Sequence, residues 1–190
     1  LSYDVKATLY DATGVPKVAT ISMAPGQIRS YDNFLEAVFA FTGAGTVRLD
    51  SRASAAGGAA LFVFSSEVYT EGATGSFGTT APASPFGGTA AASFAAGVSV
   101  NSSFRTNLGC FNDSSSAVSI PADVYDPSGT KLETVTLDLP ATGWNQKGVT
   151  QSVTGGYVKF RPSKPAYCYA VVVHNVSNDG RFIPGAEYEP

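Results

Sequence analysis

Two six-residue phrases of nearly the same wording, LYDATG at 9–14 and VYDPSG at 124–129, lie 115 positions apart in a chain of 190 residues. A repeat this long constrains the fold more than any other feature, because it predicts two copies of one module and not one continuous domain. If the copies are real, inward positions must match as well as letters. Tyr3, Val5, Ala7 and Leu9 alternate with Asp4, Lys6, Thr8 and Tyr10, and Val118, Ile120, Ala122 and Val124 alternate with Ser119, Pro121, Asp123 and Tyr125. The apolar sets coincide at the same offset, and a period of two marks a half-buried strand.

Each phrase then turns. Asp11 and Asp126 stand first and Gly14 and Gly129 fourth. Asp caps a type I turn with its side chain, Pro127 presets φ, and Gly takes the backbone where φ is positive. A cation loop would need further acidic positions that both phrases lack. The return strands match too, with Ala19, Ile21 and Met23 answering Val135, Leu137 and Leu139, each set followed by a proline, Pro25 or Pro140. Further on, Val47 and Leu49 answer Val158 and Phe160. The apolar runs AALFVFSSEVY and AYCYAVVVHNV each read as the central strand of a sheet. Both lead to a Gly-aromatic step, Gly75 to Phe77 and Gly180 to Phe182.

One stretch departs from strand periodicity. Phe34, Leu35, Val38 and Phe39 share a helical face, Asn33 and Glu36 form a capping box, and Gly43 is the expected stop. The second copy has NQKGVTQSV there, too polar and short for that helix.

The fold class that follows is all-β: two tandem antiparallel immunoglobulin-like β-sandwiches, the first lacking its opening strand within the chain. The expected boundaries are 1–83 for the first module, 84–103 for a Gly/Ala/Ser-rich linker, and 104–190 for the second. The alternation of Ala96, Val98 and Val100 gives the linker a strand in its second half. A single large jelly roll is the competing architecture, and the matching order of inward positions counts against it.

The second copy opens with SFRTNLGCFNDSS and closes with VVVHNVSNDGRFIPG. With the Asp-Pro-Ser-Gly turn, this resembles sandwich repeats of secreted and surface-exposed bacterial proteins, over 104–190 and more loosely over 1–80. The resemblance implies an extracellular structural or attachment module and brings no catalytic residues with it.

Composition fits that class. Only 14% of residues are charged, 44% are hydrophobic, and Gly numbers 20. A net charge of −3 without a basic cluster argues against nucleic-acid binding. The apolar runs are too short for a membrane-spanning helix, so no direct membrane insertion is expected. The chain starts at Leu1 and reads as a mature or trimmed chain. Sequons at Asn101, Asn112 and Asn175 carry little weight in so Ser- and Thr-rich a chain. Cys110 and Cys168, 58 positions apart, are expected to form one bridge inside the second module.

No catalytic, cofactor or metal site is expected. His174 is the single histidine; its polar neighbours Asn175, Ser177 and Asp179 are sequence-local and poorly placed for a nucleophilic triad, and zinc lacks ligands. SNDG at 177–180 reads as a turn. Arg105 and Asn107 read as a clamp on a neighbouring loop. Tyr10, Tyr125 and Trp144 are candidate ligand-facing aromatics, with ordinary cross-strand packing as the equal alternative.

The expected function is a non-enzymatic extracellular structural protein, a subunit or module of a cell-surface filament, stalk or layer that associates with itself or with neighbouring modules. A carbohydrate-binding or adhesion module, with a glycan as partner, or an accessory domain of a larger secreted enzyme, are the alternatives. The missing opening strand predicts an exposed edge at Val5, Ala7 and Leu9 and invites strand addition from another subunit. FIPGAEYEP and AAGVSV are the candidate donors.

Overall fold

In a computed structural model, the described residues are 3–52, 62–72, 75–81 and 88–187. The chain is nearly all-β, with several antiparallel sheets. Its elements are β1 (Tyr3–Tyr10), β2 (Lys17–Met23), α1 (Phe34–Phe39), β3 (Thr46–Arg52), β4 (Ser66–Gly72), β5 (Gly75–Ala81), β6 (Ser93–Val100) and β7 (Phe104–Asn112). They continue with β8 (Val118–Tyr125), β9 (Lys131–Leu139), β10 (Trp144–Gly148), β11 (Val153–Phe160), β12 (Ala166–His174), β13 (Gly180–Pro184) and β14 (Ala186–Glu187).

The repeat is written into the register. β1 sets Val5 opposite Ile21 and Ala7 opposite Ala19 on one side, then Ala7 opposite Leu49 and Leu9 opposite Val47 on the other. β8 sets Ile120 opposite Leu137 and Ala122 opposite Val135, then Ala122 opposite Phe160 and Val124 opposite Val158. The order β2-β1-β3 therefore reproduces β9-β8-β11 pair by pair. The turns agree as well. Gly14 N–H donates to the Asp11 carbonyl at 3.2 Å, and Gly129 N–H to that of Asp126 at 3.1 Å. Each Asp carboxylate accepts from the backbone two residues on, Thr13 at 2.8 Å and Ser128 at 2.9 Å.

Past those three strands the halves diverge. In the second, the sheets β14-β6-β11-β8-β9 and β10-β7-β12-β13 enclose one core that includes Val98, Leu108, Ile120, Leu137, Val158, Phe160 and Ala170. In the first, the three-stranded sheet buries Val5, Ala7 and Ile21 against α1, with Phe34, Val38, Phe39 and Phe62 partly covered. Asn33 caps α1 by accepting from the Glu36 N–H at 3.2 Å, and its amide donates to the Glu36 carboxylate at 3.0 Å. The helix stops earlier than the expected Gly43: Ala40 takes the left-handed conformation (φ 48°) and closes the cap.

Three expectations need correction. Val5, Ala7 and Leu9 do not form an exposed edge. They lie on β1, paired on both sides, and are at most 5% accessible. The reason is the path of β7, which enters the sheet opposite β8, so a β7 equivalent would not be a neighbour of β1, whose two neighbours are β2 and β3. Next, AYCYAVVVHNV does supply a central strand, β12, between β7 and β13. For AALFVFSSEVY, residues 59–61 lie outside the described residues, and the rest does not form a central strand among the described ones: β4 pairs there only with β5, and Val63 and Val68 are 93% and 65% exposed. Lastly, Ala96 faces outward. Gly97 (φ 83°) shifts the parity of β6, so Ala95 and Val98 point into the core. The segment read as a linker thus carries a full member of the five-stranded sheet, and AAGVSV is paired within its own chain.

Pro121 explains where one ladder ends. Its carbonyl accepts from Arg161 N–H at 2.9 Å, but it has no N–H to return, and β8–β11 pairing begins only at Ala122.

Candidate functional site

A strand that ends a sheet presents a row of backbone donors and acceptors on one side. β3 does so among the described residues. Its counterpart β11 does not, because β6 lies there, with Val158 opposite Ala95, Lys159 opposite Phe94 and Phe160 opposite Ser93. Among the described residues the difference is one neighbour at an otherwise matched position. Val47 and Leu49, the equivalents of Val158 and Phe160, are half-buried, whereas Val158 and Phe160 are fully buried. Between them, Arg48 is held by Asp50 at 2.8 Å. The edge of β3 is the site the sequence reading missed. The signal was present in the matching of Val47 and Leu49 to Val158 and Phe160. What it could not reveal is that β6 is the neighbour of β11, since that pairing is non-local.

The halves meet at a second place. Gly14 lies so close to Pro140 that a Cβ there would come within 2.8 Å of the proline ring, and its φ of 72° disfavours a side chain in any case. Trp144 N–H donates to the Asp11 carbonyl at 3.3 Å, and Tyr10 packs on Phe111 with ring centroids 5.1 Å apart. On the other flank, Thr79 Oγ1 accepts from the Phe182 N–H at 3.1 Å, so β5 covers the outer edge of β13.

These contacts place the candidate aromatics. Tyr10 is used at this junction. Trp144 Nε1 donates to the Tyr169 hydroxyl at 2.8 Å, and Tyr169 stacks on Phe182 at 4.6 Å. Burial, outweighing the Trp144 hydrogen bond, pushes the Tyr169 phenol up to about 12. Tyr125 stacks on its cross-strand partner Tyr157, 4.8 Å apart and 7° from parallel. Tyr10 and Trp144 meet at the junction, since Phe111 under Tyr10 is the register partner of Trp144, whereas Tyr125 has its own partner in Tyr157.

Cys110 and Cys168 are bonded. They are register partners on β7 and β12, so the bridge ties two strands of one sheet and does not span the core between the sheets. Both are buried, at 0% and 3%.

Asp123 is the one buried carboxylate in the second core besides its neutral polar companions. It accepts from Lys131 at 2.8 Å, Arg161 at 2.8 Å and Thr134 at 2.6 Å. Burial raises its pKa, but these three donors outweigh it and hold the group at about 2. Both carboxylate oxygens are engaged, Oδ1 by Lys131 and Thr134 and Oδ2 by Arg161. In the first copy the same position is Thr8, also buried. Arg105 donates to Asn178 Oδ1 at 3.0 Å and Asn175 Oδ1 at 3.4 Å, clamping the turn after β12 through side-chain amides. In that turn Asn178 takes φ 60°, and His174 Nδ1 lies 3.0 Å from Ser177 Oγ. Among the described residues no group of three or more His, Cys, Asp and Glu is placed to hold a metal ion.

Set against protein-family models, curated proteins and solved structures, the chain finds no match in any of the three.

Proposed function

We propose that the chain is a non-enzymatic extracellular structural protein of tandem immunoglobulin-like sandwich modules. It serves as a subunit or module of a cell-surface filament, stalk or layer whose neighbours join by strand addition. The observation that carries this reading is the pair-by-pair agreement of β2-β1-β3 with β9-β8-β11, combined with the absence, among the described residues, of a strand beside β3 where β11 has β6. A repeated module with one unfilled strand position is suited to joining chains, since backbone pairing supplies affinity and alternate side chains supply selectivity. Such a contact is head-to-tail and need not close on itself. The disulfide agrees with an oxidising compartment.

The reading is tested on the chain expressed in its secreted form. Ordered strings or layers in negative-stain images when the chain is mixed with its native surface material, absent for the chain alone and lost when Leu49→Lys alters the β3 side, are the expected result. A chain that stays monodisperse in the presence of its native surface material, together with clean binding on a glycan array abolished by Tyr125→Ala, would replace it with the adhesion reading.

A further inference from the structure

We propose that the outer edge of β3 accepts one antiparallel strand from another polypeptide, a strand that alternates small residues with an aromatic as β6 does at Ser93, Phe94 and Ala95. The inference rests on the tandem-module reading and names the partner chemistry of its open edge.

The second copy provides the template. Because Leu9–Val47 and Ala7–Leu49 reproduce Val124–Val158 and Ala122–Phe160, the neighbour of β11 can be projected onto β3 residue by residue. Beside β11, Ala95 stands opposite Val158 and Ser93 opposite Phe160. By that template the strand beside β3 carries small residues opposite Val47 and Leu49. Opposite Arg48 the template has an aromatic, Phe94, whose ring lies 5.6 Å from Lys159 Nζ. Arg48 keeps a cation at the position of Lys159, so the side-chain complementarity is retained on the accepting strand. Arg48 is itself held by Asp50, which fixes the cation on this face.

The donor is not a β6 from a second folded copy. β6 is paired with β11 on one edge and β14 on the other. Nor is it the segment FIPGAE, whose β13 pairs with β12 and whose β14 pairs with β6. The described residues of both donors expected from the sequence are thus engaged at home, and the inferred occupant is a strand of a different chain.

The test uses the full chain and a synthetic peptide of its own residues 89–103, which contains β6, read by amide hydrogen exchange at each strand. One peptide should bind per chain and slow exchange over 46–50 by at least about tenfold. The same peptide with Ala95→Lys should give no slowing, because its charge would face the core. Three results overturn the inference: no slowing over 46–50, equal slowing by the Ala95→Lys peptide, or protection of 46–50 without peptide, whether constant or rising with chain concentration. If β1 and β2 are protected in those cases, only the acceptor inference falls. If β1 and β2 exchange freely as well, the first module is not a folded copy, and the tandem-module reading falls with it.

Discussion

The sheet β2-β1-β3 and the strands β9-β8-β11 share turns, register and inward parity, yet they bury their side chains to different depths. β1 and β8 are equally buried, but the strands beside them differ: Leu137, Leu139, Val158 and Phe160 are at most 2% accessible, while Ala19, Met23, Val47 and Leu49 are only partly covered. The local hairpin is encoded by its own residues: an Asp that caps the turn, a Gly that takes positive φ, and alternation on either side. Closure of the core is not local. It depends on β6, β7 and β12, which come from distant parts of the chain, and among the described residues no counterparts of these three join β2-β1-β3.

The largest effect that would break the comparison is expected from Phe160→Ala against Leu49→Ala. Phe160 is fully buried, and its truncation should destabilise the second module by about 3–5 kcal/mol. Leu49 is half-buried, and its truncation should cost about 1–2 kcal/mol. Urea unfolding followed by strand-resolved exchange measures both; equal costs would mean that β3 is covered as fully as β11. Removing the disulfide with Cys110→Ala and Cys168→Ala should lower the second module by about 2–4 kcal/mol and leave the first unchanged, because both cysteines lie in the second.

Acid should separate the halves further. The value of Asp123 in the folded chain, about 2, lies below the ordinary 3.8. Its contribution is therefore fully present above pH 3.8 and is lost as the pH falls toward 2, at most about 2 kcal/mol. Asp123→Asn should flatten the stability of the second module across that window, and Thr8 gives the first module no such dependence. The smallest effect concerns the shared turn. Thr13→Val and Ser128→Ala each remove one hydroxyl hydrogen bond to the leading Asp, and each should cost under about 1 kcal/mol. Thermal melts that show unequal losses would mean that the two turns are not equivalent.

How far the sequence could be read follows the same division. Tyr10 and Tyr125, the alternation on either side of them, the Asp-x-x-Gly turns and the Asn33 cap were all legible, because each depends on residues within a few positions of one another. The identity of the open edge was not. Assigning it to Val5, Ala7 and Leu9 assumed that the opening strand neighbours the strand after it, whereas β7 crosses to the opposite sheet. The parity of β6 was misread because one glycine, Gly97, inserts a bulge that no period can reveal. Asp123 looked like an ordinary outward residue, and only the approach of Lys131 and Arg161 from two neighbouring strands shows it to be a buried charge with three donors.

Amide exchange over 46–50 and 157–160, in the chain alone and at low concentration, bears most directly on the claim that the first sheet is a copy of the second with one strand position vacant. The account predicts strong protection through β1, as in β8, with markedly faster exchange on β3 than on β11. Equal protection of β3 and β11 would contradict it.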